Sequence, residues 1–290
     1  MFKPISTVLK KMARADYIET GNGDYLDEEG LMRCGKCKTR KQRDVEAPRE
    51  IASTGLWRFS VPCECQLELL AAQAKDRQHS EFQRQMGYLR SEGITDPAYL
   101  KHTFAQDDRR DVKISDVCRK YVEQWDVMKA DNTGILFYGN VGAGKSFLAC
   151  CIANALLENL VPVCVTNFPR LLNKMQGLGE ERQETIDKLQ RYALLVIDDL
   201  GAERDTSYSV EQIYNIVDTR ARSGKPLIVT TNLALSDIEN PGTLAYKRIY
   251  DRVMEMCPIR LKLTGKSRRE EKAAEKRDRA RRLLGLTNGS

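Results

Sequence analysis

The sequence predicts an α/β fold: a mostly parallel sheet of five strands covered on both faces by helices. Three observations predict it. Five short apolar runs, Gly134–Tyr138, Pro162–Thr166, Ala193–Ile197, Leu227–Thr231 and Ile259–Leu263, recur after Thr133. Helix-forming segments separate them, and strands joined through helices pair in parallel. Four of the runs are largely apolar, as strands buried on both faces must be, while Ile259–Leu263 alternates apolar and basic residues. A glycine-rich stretch joins the first strand to the first helix.

Taken in order, residues 1–65 are rich in glycine and charge and hold two cysteine pairs, Cys34-x2-Cys37 and Cys63-x-Cys65. The stretch between the pairs, with Trp57 and Phe59, predicts a β-hairpin. Residues 66–130 read as a helical linker region, because QLELLAAQAKDRQHSEFQRQMGYLRSEG has no proline and many strong helix formers. Gly93 is its stop, an irregular linker with Pro97 follows, and a second helix is expected over Val112–Lys129. Residues 131–269 form the α/β core. Its first helix, Lys145–Glu158, places Leu148, Cys151, Ile152, Ala155 and Leu156 at helical spacing. Further helices are expected near Phe168–Gln176, Glu181–Arg191, Val210–Ser223 and Thr243–Met256. Residues 270–290 make a basic tail.

The chain has 290 residues, 41% hydrophobic and 30% charged, enough for a core without disulfide staples. Its longest largely apolar run, Phe147–Leu157, is too short to span a bilayer, which takes about 20 residues. The N-terminal segment shows no secretion signal. These features point away from membrane and secreted classes, and the expected location is the cytoplasm, where nine cysteines stay reduced. Net charge is +6, and the excess is local: Lys266–Arg282 carries nine basic against four acidic residues. Such a segment either contacts nucleic acid or forms a solvated helix with i,i+4 charge pairs.

The stretch Gly139-Asn140-Val141-Gly142-Ala143-Gly144-Lys145-Ser146 fits the phosphate-binding pattern G-x-x-x-x-G-K-[ST], with strand before and helix after. Glycine lets the backbone wrap phosphate closely, and backbone N–H groups with a helix N-terminus supply positive potential. Lys145 is expected on the β- and γ-phosphates, Ser146 on Mg2+, and Phe147 at the edge of the nucleotide site. Leu194–Asp199 is an apolar strand that delivers two acids at its C-terminal tip, where open α/β sheets bind ligands. Asp198 is the expected Mg2+ partner, and Asp199 is expected to polarise the attacking water. Asn232, after the fourth strand, is placed to orient that water or sense the γ-phosphate. Arg248 and Arg252 stand at i and i+4. A neighbouring subunit can supply such a guanidinium to phosphoryl transfer, although the spacing alone favours ordinary solvated arginines paired with Asp251 or Glu255.

Four soft ligands suit Zn2+, so Cys34, Cys37, Cys63 and Cys65 are expected to hold structural zinc, with a redox dithiol as the competing reading. The remaining cysteines, Cys118, Cys150, Cys151, Cys164 and Cys257, lie in apolar patterns and read as core residues.

In order and spacing, GNVGAGKS, LLVIDDLGAE, IVTTN and RIYDRVMEM resemble the DnaC/DnaI-type helicase-loader branch of the AAA+ ATPases, which IstB-like transposition helpers share. The linker GITDPAYLKHTF is similar to the one preceding such ATPase cores, and the wording looks most like members from Gram-positive bacteria, phages and mobile elements. The resemblance implies an AAA+ core without a full lid domain. It implies ATP and Mg2+ at Lys145, Ser146 and Asp198, a sensor role for Asn232 and an arginine finger at Arg252 with Arg248 as its companion. It puts the sensor 2 arginine at Arg269, or Arg268 beside it. Asp199 departs from the usual glutamate, and its shorter arm suits a slow switch. Loaders of this type carry a small zinc-binding front for helicase contact. The expected function is therefore loading of a DnaB-type replicative helicase onto single-stranded DNA, with self-association through the ATP site. The alternatives are a transposition helper on double-stranded DNA and a nucleotide-gated adaptor with little hydrolysis.

Overall fold

The computed structural model describes residues 23–46, 48, 55–176, 179–203 and 206–284. The chain divides into two compact units, Met1–Gln83 and Arg84–Ser290. The division falls within one long helix, α1 (Glu64–Gly93).

The first unit contains two small antiparallel pairs. β1 (Tyr25–Leu26) pairs with β2 (Met32–Arg33), and β3 (Gln42–Glu46) pairs with β4 (Leu56–Ser60) from Gln42↔Ser60 to Glu46↔Leu56. The second pair is the hairpin expected between the cysteine pairs. Trp57 and Phe59 alternate with exposed residues along β4, so both rings lie on its half-buried face, centroids 6.3 Å apart.

The second unit is a three-layer α/β domain. β5 (Ile135–Gly139), β6 (Val163–Asn167), β7 (Leu194–Leu200), β8 (Leu227–Thr231) and β9 (Ile259–Leu263) form one sheet in the order β6-β7-β8-β5-β9, every pairing parallel. Alternate strand residues feed two cores. Leu136, Leu195, Ile197 and Val229 face one; Ile135, Phe137, Val165, Val196 and Ile228 face the other. Each such side chain taken from water stabilises the fold by about 1.5–3 kcal/mol.

Before the sheet come α2 (Pro97–Leu100), a 3-10 turn at Phe104–Gln106, α3 (Val112–Glu123) and α4 (Trp125–Ala130). The linker is thus more ordered than an irregular stretch: Asp96 caps α2 through the Ala98 N–H at 2.9 Å, and Pro97 suits the first helical turn. The helix expected over Val112–Lys129 is two. It breaks at Gln124 (φ −100, ψ 23), and Tyr121 and Trp125 are both buried with their rings 6.1 Å apart.

Within and after the sheet run α5 (Lys145–Glu158), α6 (Phe168–Lys174), α7 (Gly179–Arg191), α8 (Ser207–Arg222), α9 (Leu235–Glu239), α10 (Leu244–Met256) and α11 (Arg268–Leu284). Among the described residues a single helix follows β9. No helix among them is long and apolar enough to cross a membrane.

Candidate active site

The carboxyl ends of β5, β7 and β8 converge on the glycine-rich loop. Asn140 N–H donates to Leu263 O at 3.1 Å, and Arg268 N–H donates to Gly142 O at 3.0 Å, so β9 and the start of α11 brace the loop. Gly142 has φ +76 and packs so closely that a Cβ there would lie 2.2 Å from Ser267 Oγ. Gly144, φ +108, opens α5 and sets the N–H groups of that helix toward the loop. Val141 is exposed, Ala143 and Ser146 are half-buried, and Phe147 packs its ring 5.3 Å from that of His102.

Lys145 is buried, and its ammonium donates to three oxygens: Gly139 O at 2.9 Å, Asn140 O at 2.7 Å and Asn232 Oδ1 at 2.7 Å. Burial lowers its pKa, against the pull of Asp199 and Asp198. The amide of Asn232 donates on to Asp199 Oδ1 at 2.6 Å. Lys145, Asn232 and Asp199, far apart in sequence, therefore form one continuous chain of polar contacts.

The two acids differ in setting. Asp198 is 8% exposed; its Oδ1 accepts from the Thr230 hydroxyl at 2.6 Å and its Oδ2 from the Tyr99 hydroxyl at 2.8 Å. Asp199 has φ +61, a left-handed conformation uncommon outside glycine, at a register shift between β7 and β8. Its N–H donates to Thr230 Oγ1 at 2.9 Å, so one hydroxyl organises both acids. Burial, followed by the charge of Asp198, raises the Asp199 pKa.

The arginines divide. Arg268 lays its guanidinium over the Phe147 ring, 5.5 Å from the centroid, and pairs with Asp108 at 2.7 Å. The charge of Arg269 acts on both Lys145 and Asp199. Arg252 stands apart on α10, paired with Glu255 at 2.9 Å and near Asp218 at 3.5 Å, and Arg248 is exposed on the same helix. Tyr99, Thr230 and Asn154 are contributors that sequence reasoning missed. The linker's resemblance to those of loader ATPases was the one signal pointing toward Tyr99.

In the first unit the Sγ atoms of Cys34, Cys37, Cys63 and Cys65 all lie within 4.8 Å of one another. Tetrahedral zinc with bonds of about 2.3 Å spaces sulfurs by about 3.8 Å, so the four thiols fit a zinc ion with a small contraction. A tight turn, Lys38 N–H to Cys34 O at 2.9 Å, presents the first pair. The Thr39 hydroxyl, then backbone N–H groups of Cys65 and Thr39, pull Cys37 down to about 5, while Cys37 beside it helps push Cys65 up to about 11. Burial pushes the Cys63 thiol up as well, so the case for a cation rests on the closeness of four soft sulfurs.

The family model described as IstB-like ATP binding protein matches residues 67–276. The chain belongs to the IstB-like ATP binding protein family. This IstB-like chain is similar to the replicative helicase loader DnaC of Escherichia coli strain K12, 30% identical over 139 residues, 47% of this chain and 54% of that protein. It is similar to the replicative helicase loader DnaI of Bacillus subtilis strain 168, 24% identical over 195 residues, 59% of this chain and 62% of that protein. The matched region thus spans less than two thirds of either relative. A crystal structure of DnaI shares the fold at a TM-score of 0.52 and 21% identity, covering 62% of this chain and 99% of that one.

A family that binds ATP needs a phosphate cradle and a cation site, and the residues present fit both. The loop offers backbone N–H groups, Lys145 offers an ammonium, and Ser146 and Asp198 offer the hard oxygens Mg2+ takes. Bound there, Mg2+ would neutralise phosphate charge.

Proposed function

We propose that the protein is an ATP-dependent loader that binds a DnaB-type replicative helicase and places it on single-stranded DNA. The observation that carries this reading is the polar chain Lys145–Asn232–Asp199 beside Asp198, in a family whose named relatives include helicase loaders. Lys145 grips the phosphates, and Ser146 and Asp198 hold Mg2+. Asp199 draws the proton of the attacking water, and Asn232 links that acid to the lysine. Arg252 is exposed enough to reach ATP held by a neighbouring copy, which gives self-association through the nucleotide site. Arg269, with Arg268, closes the site from the side of α11. The four-cysteine module, holding zinc, grips the helicase.

The test is to mix the full chain with its cell's hexameric replicative helicase and measure complex mass in ATP and in ADP. The expected result is a complex in ATP that is lost in ADP and lost on removal of residues 1–65. Absence of any complex in ATP overturns the reading. The family description favours a second reading, a transposition helper. ATP-dependent binding to double-stranded rather than single-stranded DNA would select it.

A further inference from the structure

We propose that Tyr99 is a positioning residue for Asp198, carried to that carboxylate by the linker, so that linker docking and metal binding are coupled. The inference rests on the reading of Asp198 as a Mg2+ ligand.

An aspartate carboxylate turns about its terminal side-chain torsion unless both oxygens are held. Here both are. Thr230, from the neighbouring strand, donates to Oδ1 at 2.6 Å, and Tyr99, from α2, donates to Oδ2 at 2.8 Å. Each oxygen keeps lone-pair capacity for a cation. Hydrogen bonds of this kind orient ligating carboxylates, and losing one typically costs 10–100-fold in metal affinity.

The phenol reaches Asp198 because the linker is fastened at several points. Ile94 bridges to Val165 of the edge strand β6. Asp96 and Pro97 start α2. Asn154, buried in α5, donates its side-chain amide to Tyr99 O at 2.8 Å and His102 O at 2.9 Å. The His102 ring packs on Phe147. The helix that begins with Lys145 and Ser146 therefore also grips the linker, and the linker grips the acid opposite. Packing alone would not require the tyrosine hydroxyl to end on a buried carboxylate. Because coupling is reciprocal, a cation that draws on Asp198 also stabilises the docked linker.

The test compares the full chain with Tyr99→Phe, which keeps the ring and removes only the hydroxyl. A fluorescent N-methylanthraniloyl ATP is titrated in EDTA and again across a Mg2+ series, and hydrogen exchange of residues 94–104 is followed in both conditions. The expected result is unchanged nucleotide affinity in EDTA and a Mg2+ midpoint raised about 10-fold. Mg2+-dependent protection of the linker should appear in the native chain and disappear in the variant. Asn154→Ala, which loosens the linker without touching Asp198, should raise the Mg2+ midpoint in the same direction. A Tyr99→Phe midpoint equal to or below that of the native chain overturns the proposal while leaving the nucleotide reading intact. A native chain that binds no nucleotide with Mg2+ overturns both.

Discussion

Arg220 shows how much a single side chain organises. It is 0% exposed, and among the described residues no carboxylate pairs with it. Its guanidinium instead donates to three carbonyls, Tyr192 O and Ala193 O at 3.0 Å and Pro226 O at 2.6 Å, tying together the entries to β7 and β8. Burial pulls its pKa down to about 10, which still leaves it charged at neutral pH. Arg220→Met removes these donors and leaves buried acceptors bare, at about 1–3 kcal/mol each. Urea unfolding should show a loss of about 3 kcal/mol or more, and a loss below about 1 kcal/mol would mean that water satisfies the carbonyls instead. Nothing in the sequence marks this arginine, because its partners are backbone atoms of other elements. Tyr99 and Thr230 were hidden for the same reason: their contacts to Asp198 span 99 and 32 residues. Lys145, Asp198 and Asn232 were legible, since motif and strand ends announce them.

The strands were the clearest elements: burial on both faces leaves an apolar run in the central strand β8, and the edge strand β9 alternates apolar with basic residues. The predicted run Leu227–Thr231 coincides with β8 and Ile259–Leu263 with β9. Helices were legible in position and less so in continuity. The break at Gln124 depends on Tyr121 and Trp125 both reaching the core, and α9 is too short to show periodicity. The glycine loop carries its own prediction. Gly142→Ala puts a Cβ against Ser267 and holds alanine at φ +76, a strain of about 1–3 kcal/mol. Scanning calorimetry should show Tm lowered by roughly 4–8 °C for a strain near the middle of that range; an unchanged Tm would mean that α11 moves aside at no cost. The cysteine module predicts an order of thiol modification. Cys118, Cys150, Cys151, Cys164 and Cys257 are buried, and burial raises the pKa of each. In native protein treated with a zinc chelator, a thiol reagent should therefore modify one cysteine first, the half-buried Cys37 whose thiol is pulled down to about 5, and the five core cysteines slowly, with zinc protecting Cys37. Fast modification of any of those five, or no effect of zinc on Cys37, would contradict the assignment.

Over the whole molecule, charge is concentrated where the fold is most exposed. No residue of α11 is buried, yet its first turns are fastened: Arg268 to Asp108 at 2.7 Å and Glu271 to Arg110 at 2.5 Å. The basic residues beyond, from Lys276 to Arg282, project from that anchored start. Removing residues 276–290 leaves the anchors in place and should flatten the salt dependence of single-strand binding by about 0.7 log units per lost phosphate contact. Fluorescence anisotropy at several salt concentrations reads this directly, and an unchanged slope would assign the tail to solvent alone. The Lys145 ammonium has a thermodynamic consequence. Its N–H groups already satisfy protein oxygens, so an incoming triphosphate must evict carbonyl and amide neighbours rather than meet bare donors. Much of the enthalpy of gripping phosphate is cancelled in that trade, and uptake of nucleotide should be driven by displaced solvent and counterions, warming a calorimeter cell very little.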